Sequence, residues 1–190
     1  ANELEDKIIE LGADNVSTFI AETIVGATMG AVPAVDNYFK RIRDICNKYD
    51  VVMILDEVMC GMGRTGQLYA FEYYSIVPDI VCVAKGLGAG YQPIGAMICN
   101  DMIYDSINNS SGYFQHSHTY SAHPVACAAG VSVLKEISKI STLNNIENLG
   151  IKLLNKLLEE FRDCPNIGNI RGRGLFIGLE IVSNNITKDS

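Results

Sequence analysis

Hydrophobic residues in this 190-residue chain occur either in short continuous runs or at helical spacing. Helical spacing predicts a first helix over 3–11, a second that starts after an N-cap at Asp36, and a short third at 69–76. It also predicts a fourth helix from Pro124 to about Ile140 and a fifth that follows it and extends to about Phe161. Continuous apolar runs, typical of strands buried on both faces of a sheet, predict strands over 16–22, 51–57, 79–85 and 94–100. Because strands alternate with helices, the pattern predicts an α/β layer fold.

A cluster of Ser, Thr and Asn residues begins near residue 141 and suggests a domain boundary. We therefore assign 1–140 to a larger domain, and 141–190 to a connecting helix and the start of a smaller C-terminal domain. The stretch "NIRGRGLFIGLEIV" predicts a pair of strands with a turn near Gly172–Gly174. The chain starts with Ala1 inside a helical pattern and stops soon after an apolar stretch, so we expect a fragment of a longer protein.

Charge and composition exclude several classes of function. The net charge is −7 and no continuous basic stretch is present, which argues against a nucleic-acid-binding protein. The apolar runs are much shorter than the roughly 20 residues of a membrane-spanning helix. The charged first helix lacks the apolar core of a signal peptide. The six cysteines form no CxxC pair and several lie in apolar runs, which favours a reducing, cytoplasmic environment.

Two charged residues end apolar runs and precede glycine-rich loops. Asp56 follows "VVMIL" and Lys85 follows "DIVCVA", roughly 30 residues later, which is the length of one βαβ unit. Ligands of open α/β sheets bind beyond the carboxyl ends of the strands, so both side chains are expected in one crevice. A buried lysine is a nucleophile for carbonyl groups, and a carboxylate opposite it can hold a protonated ring nitrogen. This is the division of labour at a pyridoxal phosphate site.

The same spacing also fits an ordinary structural arrangement. A lysine at a strand end commonly reaches solvent or pairs with an acid in a loop, and an aspartate there often caps the next helix. The spacing alone leaves both interpretations open.

The residues themselves carry a resemblance that covers essentially the whole chain. The stretch "ILDEVMCGMGRTGQLYAFEYYSIVPDIVCVAKGLGAGYQPIGAM" resembles the signature of the class III pyridoxal-phosphate aminotransferases. The flanking stretches "FIAETIVGATMGAVP", "SHTYSAHPVACAAG" and "IRGRGLFIGLEIV" also resemble segments of that family. The resemblance implies fold type I: a three-layer large domain with a mostly parallel sheet, followed by the beginning of a small α+β domain.

The resemblance also implies roles for individual residues. Lys85 would carry the internal aldimine with pyridoxal 5'-phosphate and act as the acid–base catalyst, while Asp56 would partner the pyridine nitrogen. Val58 would pack against the ring, and Thr119 would bind the cofactor phosphate in the neighbouring site of a homodimer. Glu22 would border the substrate side, although a loop contact or helix cap explains that residue equally well.

Several positions depart from the family pattern or lie outside it. Met59 stands where many members have a glutamine that bonds the cofactor's phenolic oxygen, and a methionine can only pack there. Ala27 stands near the place of a glutamate that gates a substrate-binding arginine in some members. The family's phosphate loop and ring-stacking aromatic precede residue 1, and its substrate arginine lies beyond residue 190.

Other polar residues are expected to have supporting roles. His116 and His118 form an HxH pair, but no third ligand is evident and we predict no metal site. Arg171 and Arg173 are expected to be turn or surface residues, and Arg64 a supporting or subunit-contact charge. The sequence does not identify the partner of Glu57.

The implied function is transfer of an amino group from an amine or ω-amino acid to a 2-oxo acid through a pyridoxamine intermediate. A glutamate-semialdehyde-type aminomutase is the alternative within the class. A catalytically silent fragment and a non-enzymatic cofactor-binding module are the alternatives outside it. We expect these 190 residues alone to be inactive.

Overall fold

The computed structural model describes residues 1–189, which form an α/β fold. The α-helices are α1 (Asn2–Leu11), α2 (Tyr38–Tyr49), α3 (Asp101–Ser110), α4 (Pro124–Ile137) and α5 (Ile140–Glu160). The strands are β1 (Thr18–Glu22), β2 (Ile24–Val25), β3 (Val32–Pro33), β4 (Val52–Asp56), β5 (Ile80–Val83), β6 (Ala96–Cys99), β7 (Ile167–Arg173) and β8 (Phe176–Ile181). Short 3₁₀ helices lie at Ala13–Asn15, Ala70–Tyr74 and Lys85–Leu87.

The central sheet has four strands in the order β1-β4-β5-β6. β1, β4 and β5 run parallel, and β6 pairs with β5 in the antiparallel direction. Parallel strands need crossover connections, and here these connections contain α2 between β1 and β4 and a 3₁₀ helix between β4 and β5. The alternation of strands and helices in the sequence predicts this arrangement. The prediction of an α/β fold with a mostly parallel sheet is confirmed.

The two faces of the central sheet differ in burial. Met53 and Leu55 of β4 are fully buried, and they join a hydrophobic cluster with Ile8 of α1 and Ile42 of α2. On the opposite face Ile20 of β1 is 64% exposed. The alternation of buried and half-buried residues along β4 places Asp56 on this second, more open face.

Two helix starts differ from the sequence prediction. Asn37, rather than Asp36, is the N-cap of α2, and it adopts a left-handed conformation that asparagine tolerates well. The sequence did not predict α3, whose N-cap is Asn100; the side chain of that residue accepts a hydrogen bond from the Ile103 N–H at 3.0 Å. Pro124 opens α4 directly after the N-cap His123, as predicted.

The C-terminal strands form a hairpin that is attached to the N-terminal part of the chain. β7 and β8 pair antiparallel, with their turn at Gly174–Leu175, close to the predicted place. Arg171 donates hydrogen bonds to the carbonyl oxygens of Met29 at 2.6 Å and Gly30 at 3.0 Å.

Arg173 extends this attachment, because its guanidinium lies 4.1 Å from the centre of the Tyr73 ring. The prediction that Arg171 and Arg173 are turn or surface residues is therefore wrong, since both join the hairpin to earlier segments. α5 starts next to the predicted boundary at residue 141. The division into two domains stays a prediction.

Within residues 1–189, no helix combines the length and apolar character needed to cross a bilayer. All six cysteines are free thiols, and Cys46 and Cys60 are buried.

Candidate active site

The parallel strands bring three of the candidate residues to one edge of the sheet. In the register of the sheet, Glu22 of β1 lies beside Asp56 of β4, which lies beside Cys82 of β5. Lys85 follows the end of β5 at the same edge. Carboxyl ends of parallel strands are where α/β proteins bind ligands, so this edge is the candidate active site.

Asp56 presents a partly satisfied carboxylate. Its Oδ1 accepts a hydrogen bond from the Val58 N–H at 2.9 Å, which fixes the side chain and the start of the following loop. No hydrogen bond to its Oδ2 is present within residues 1–189. A half-buried carboxylate with one oxygen available is suited to accept a hydrogen bond from a donor such as a pyridinium N–H.

Lys85 has a strained backbone. It begins the 3₁₀ helix Lys85–Leu87 with a φ of 36°, in the left-handed region that residues with a Cβ rarely adopt. Such outliers cost about 1–3 kcal/mol and cluster at functional sites. The expectation of a buried lysine is wrong for this chain, because the Lys85 side chain is exposed.

A cavity of about 830 Å³ lies beside Lys85. Met59, Arg64, Phe176 and Ile177 are among its lining residues, so the C-terminal hairpin forms part of its wall. Asp56, Val58, Glu22 and Thr119 do not line it. Asp56 and Lys85 therefore lie at the same edge of the sheet but do not line this cavity together.

Glu22 and Met59 both contact Gly26, which begins the loop between β2 and β3. The Glu22 Oε2 accepts a hydrogen bond from the Gly26 N–H at 2.7 Å, which is the loop contact that the sequence left open. A Cβ built on Gly26 would lie 2.6 Å from the Met59 Sδ, so the methionine packs closely over this glycine. Met59 therefore packs, as expected of a residue without a polar group.

Thr119 lies apart from the strand edge in an exposed segment, residues 111–125. Hydrogen bonds in this segment are local; for example, the His118 Nδ1 accepts from the Tyr120 N–H at 3.1 Å. Within the described residues, no group of three His, Cys, Asp or Glu side chains could hold a metal ion.

The sequence did not identify the buried contacts of Glu57. Its side chain is fully buried and accepts hydrogen bonds from the Thr23 hydroxyl at 2.8 Å, the Ala70 N–H at 2.7 Å and the Phe71 N–H at 2.8 Å. Burial raises the pKa of Glu57, while these three donors oppose that shift. Glu57 joins the end of β1, the end of β4 and the next 3₁₀ helix. The feature of the sequence that could have indicated a buried role for Glu57 is its position directly after a buried strand.

Comparison with known proteins identifies the family. The family description Aminotransferase class-III matches residues 1–189. The chain belongs to the class III aminotransferases. These enzymes depend on pyridoxal phosphate and have fold type I, so the resemblance inferred from the sequence is confirmed.

The class III relatives cover essentially all of this chain. An aminotransferase of Gibberella zeae is 46% identical over 100% of this chain and 37% of its own length. The putrescine–pyruvate aminotransferase of Pseudomonas aeruginosa is 40% identical over 100% of this chain and 41% of its own length. The crystal structure of an (S)-enantioselective ω-transaminase from Thermomicrobium roseum has a TM-score of 0.91 at 36% identity, and covers 99% of this chain and 42% of that one. The chain therefore spans about two fifths of the length of these class III proteins.

Proposed function

We propose that this chain supplies the lysine and the carboxylate of a pyridoxal-phosphate-dependent transaminase. The observation that carries the proposal is the parallel pairing of β4 and β5, which end at Asp56 and just before Lys85. The strained backbone of Lys85 supports it further. The overall reaction would move an amino group from an amine or ω-amino acid to a 2-oxo acid.

The residues present fit the cofactor in their chemistry. Pyridoxal phosphate, when bound, supplies an aldehyde that condenses with amines and a ring that accepts electrons. The Lys85 Nζ would hold the cofactor covalently and then move the proton of the substrate's Cα. The available Oδ2 of Asp56 would accept the ring N–H, and Val58 would pack against the ring.

Two further roles depend on segments away from the strand edge. The Thr119 hydroxyl lies in an exposed segment and would donate to the cofactor phosphate in the neighbouring site of a homodimer. Glu22 would border the substrate, although its Oε2 already accepts from Gly26. The six free cysteines are consistent with a reducing, cytoplasmic environment.

Selective labelling tests the assignment of Lys85. The chain is incubated with pyridoxal phosphate, reduced with borohydride, and mapped by mass spectrometry. A pyridoxyl group is expected predominantly on Lys85 and is expected to be absent from that peptide in Lys85→Arg. Asp56→Asn should lower labelling of Lys85, whereas Asp14→Asn, at an exposed position of the first 3₁₀ helix, should leave it unchanged. Even labelling of all exposed lysines, independent of Asp56, would overturn the proposal.

The exposure of Lys85 favours a second candidate for the 190 residues alone, a catalytically silent fragment. An exposed Lys85 leaves the site open to water, whereas closed active sites exclude water and so protect reactive intermediates from hydrolysis. Activity assays on the chain with putrescine and pyruvate distinguish the two candidates. Turnover would exclude the silent fragment, and labelled but inactive protein would support it.

A further inference from the structure

The cavity beside Lys85 is positively charged in an otherwise acidic chain. Lys85 and Arg64 line it, none of its lining residues is acidic, and the others are apolar or glycine. The net charge of the whole sequence is −7. A concave site with two cations and no carboxylate attracts anions, because no internal partner neutralises its field.

Arg64 lines this cavity, is exposed to solvent, and has a backbone held by hydrogen bonds on both sides. Its N–H donates to the Gly61 carbonyl oxygen at 3.3 Å, and its own carbonyl oxygen accepts from the Leu175 N–H at 3.0 Å. These bonds tie the glycine-rich loop to the turn of the C-terminal hairpin. The position of the Arg64 Cα relative to the cavity is therefore set by both segments.

The guanidinium of Arg64 has no protein partner within residues 1–189, and neither has that of the exposed Arg162 outside the cavity. The guanidinium groups of Arg43, Arg171 and Arg173 are engaged. Arg43 pairs with Asp79 at 2.7 Å, and Arg171 pairs with Glu180 at 3.1 Å. An arginine in a cavity with its donors available is suited to bind a carboxylate or phosphate through two parallel hydrogen bonds.

We propose that Arg64 is an anion-binding residue of the Lys85 cavity, where it binds a carboxylate or phosphate group of a ligand held next to Lys85. The proposal rests on the proposed function only for the identity of that ligand, which would be an amino acid, a 2-oxo acid or the phosphorylated cofactor. A substrate carboxylate bound here would make Arg64 a specificity-determining residue that favours acids over plain amines.

Titrations of the ¹⁵N-labelled chain, followed by NMR at low ionic strength, test the proposal. The probes are sodium propionate, inorganic phosphate and neutral 1-propanol. Propionate or phosphate is expected to shift the Arg64 Nε–H and the amides of 61–66 saturably, and the affinity should fall with added salt. Arg64→Gln should weaken this binding about tenfold or more, and Arg64→Lys should weaken it less.

Arg162→Gln is the matched control, because Arg162 is exposed and lies outside the cavity. It should bind both anions like the wild type. Tighter binding of propionate than phosphate assigns the site to a carboxylate, and the reverse order assigns it to a phosphate group. Equal affinity of Arg64→Gln and wild type, in variants with wild-type spectra away from 61–66, would overturn the proposal. Equal shifts with 1-propanol would overturn it as well.

The test is independent of the labelling of Lys85. Loss of anion binding in Arg64→Gln without labelling of Lys85 by pyridoxal phosphate would uphold the anion site and reject the proposed transaminase site. Selective labelling of Lys85, together with unchanged anion binding in Arg64→Gln, would uphold the proposed transaminase site and reject the anion site.

Discussion

Lys85 has the side chain of a nucleophile and a backbone conformation that is unfavourable for any residue with a Cβ. A left-handed residue with a Cβ is less stable than glycine in the same place by about 1–2 kcal/mol. The sequence predicted the importance of Lys85 from its place after an apolar strand, but it could not predict the sign of its φ angle. That angle follows from the tight passage between β5 and the 3₁₀ helix.

The strain at Lys85 predicts an inverted order of stability for two variants. Lys85→Gly should be more stable than Lys85→Ala by about 1 kcal/mol, since glycine adopts positive φ without a steric penalty. Urea denaturation of both variants measures the difference. At Lys152, an exposed position within α5, the order should reverse, because glycine is the poorer helix former by about 1 kcal/mol. The same order at both positions would contradict the role of strain.

Glu57 lies between Asp56 and Val58, and its carboxylate accepts three hydrogen bonds in the interior. Glu57→Gln should destabilise the chain by about 1–3 kcal/mol, because the new NH₂ group would face a backbone N–H donor. Thermal and urea unfolding measure the effect. Glu160→Gln, at the exposed end of α5, should change stability by less than about 0.5 kcal/mol. A neutral effect of Glu57→Gln would show that these bonds do not stabilise the fold.

The raised pKa of Glu57 also predicts a pH dependence. The folded chain holds the proton on Glu57 more tightly than the unfolded chain does. Its stabilising contribution is therefore fully present below the unfolded value near 4.5 and is lost as the pH rises through the higher folded value. The stability difference between wild type and Glu57→Gln should decrease as the pH rises above 4.5, whereas a constant difference would contradict the shift.

At the scale of elements, the long apolar runs predicted the central strands well. β4 and β5 lie within the predicted ranges because a strand buried between neighbours needs continuous apolar residues. The strands β2 and β3 were missed, since each has only two residues and the segment that joins them is glycine-rich, which is typical of a loop. α3 was missed because its Asn and Ser residues are weak helix formers and none of its residues is buried.

The docking of the β7–β8 hairpin depends on a few close contacts. Arg171→Met removes the donors to the Met29 and Gly30 carbonyl oxygens, and should destabilise the hairpin by about 1–3 kcal/mol. Gly178→Ala should have a similar effect, because its Cβ would overlap the Gly30 carbonyl oxygen. Hydrogen exchange in β7 and β8 measures local opening.

Arg162→Met is the control for the hairpin variants, because Arg162 is exposed and precedes β7. It should leave hydrogen exchange in the hairpin unchanged. Unaltered exchange in both Arg171→Met and Gly178→Ala would show that the hairpin is held by other contacts.

For the whole molecule, the relevant observation is that the chain covers about two fifths of its class III relatives. Asp56, Val58 and Lys85 could contact one side of a ring, while Thr119 lies in an exposed segment. Pyridoxal phosphate should therefore be lost from the isolated chain on dialysis. Absorbance and phosphate analysis of the dialysed protein measure what remains, and stoichiometric retention would contradict this expectation.

The sequence by itself determined the family and the central strands, and it singled out Asp56 and Lys85 as candidate site residues, because these depend on local patterns and specific motifs. Only the tertiary structure decided which distant residues meet. It placed Glu57 against Thr23, Arg171 against Gly30, and Arg64 beside Lys85 in one cavity. Such contacts depend on the packing of segments far apart in the chain, and no local pattern encodes them.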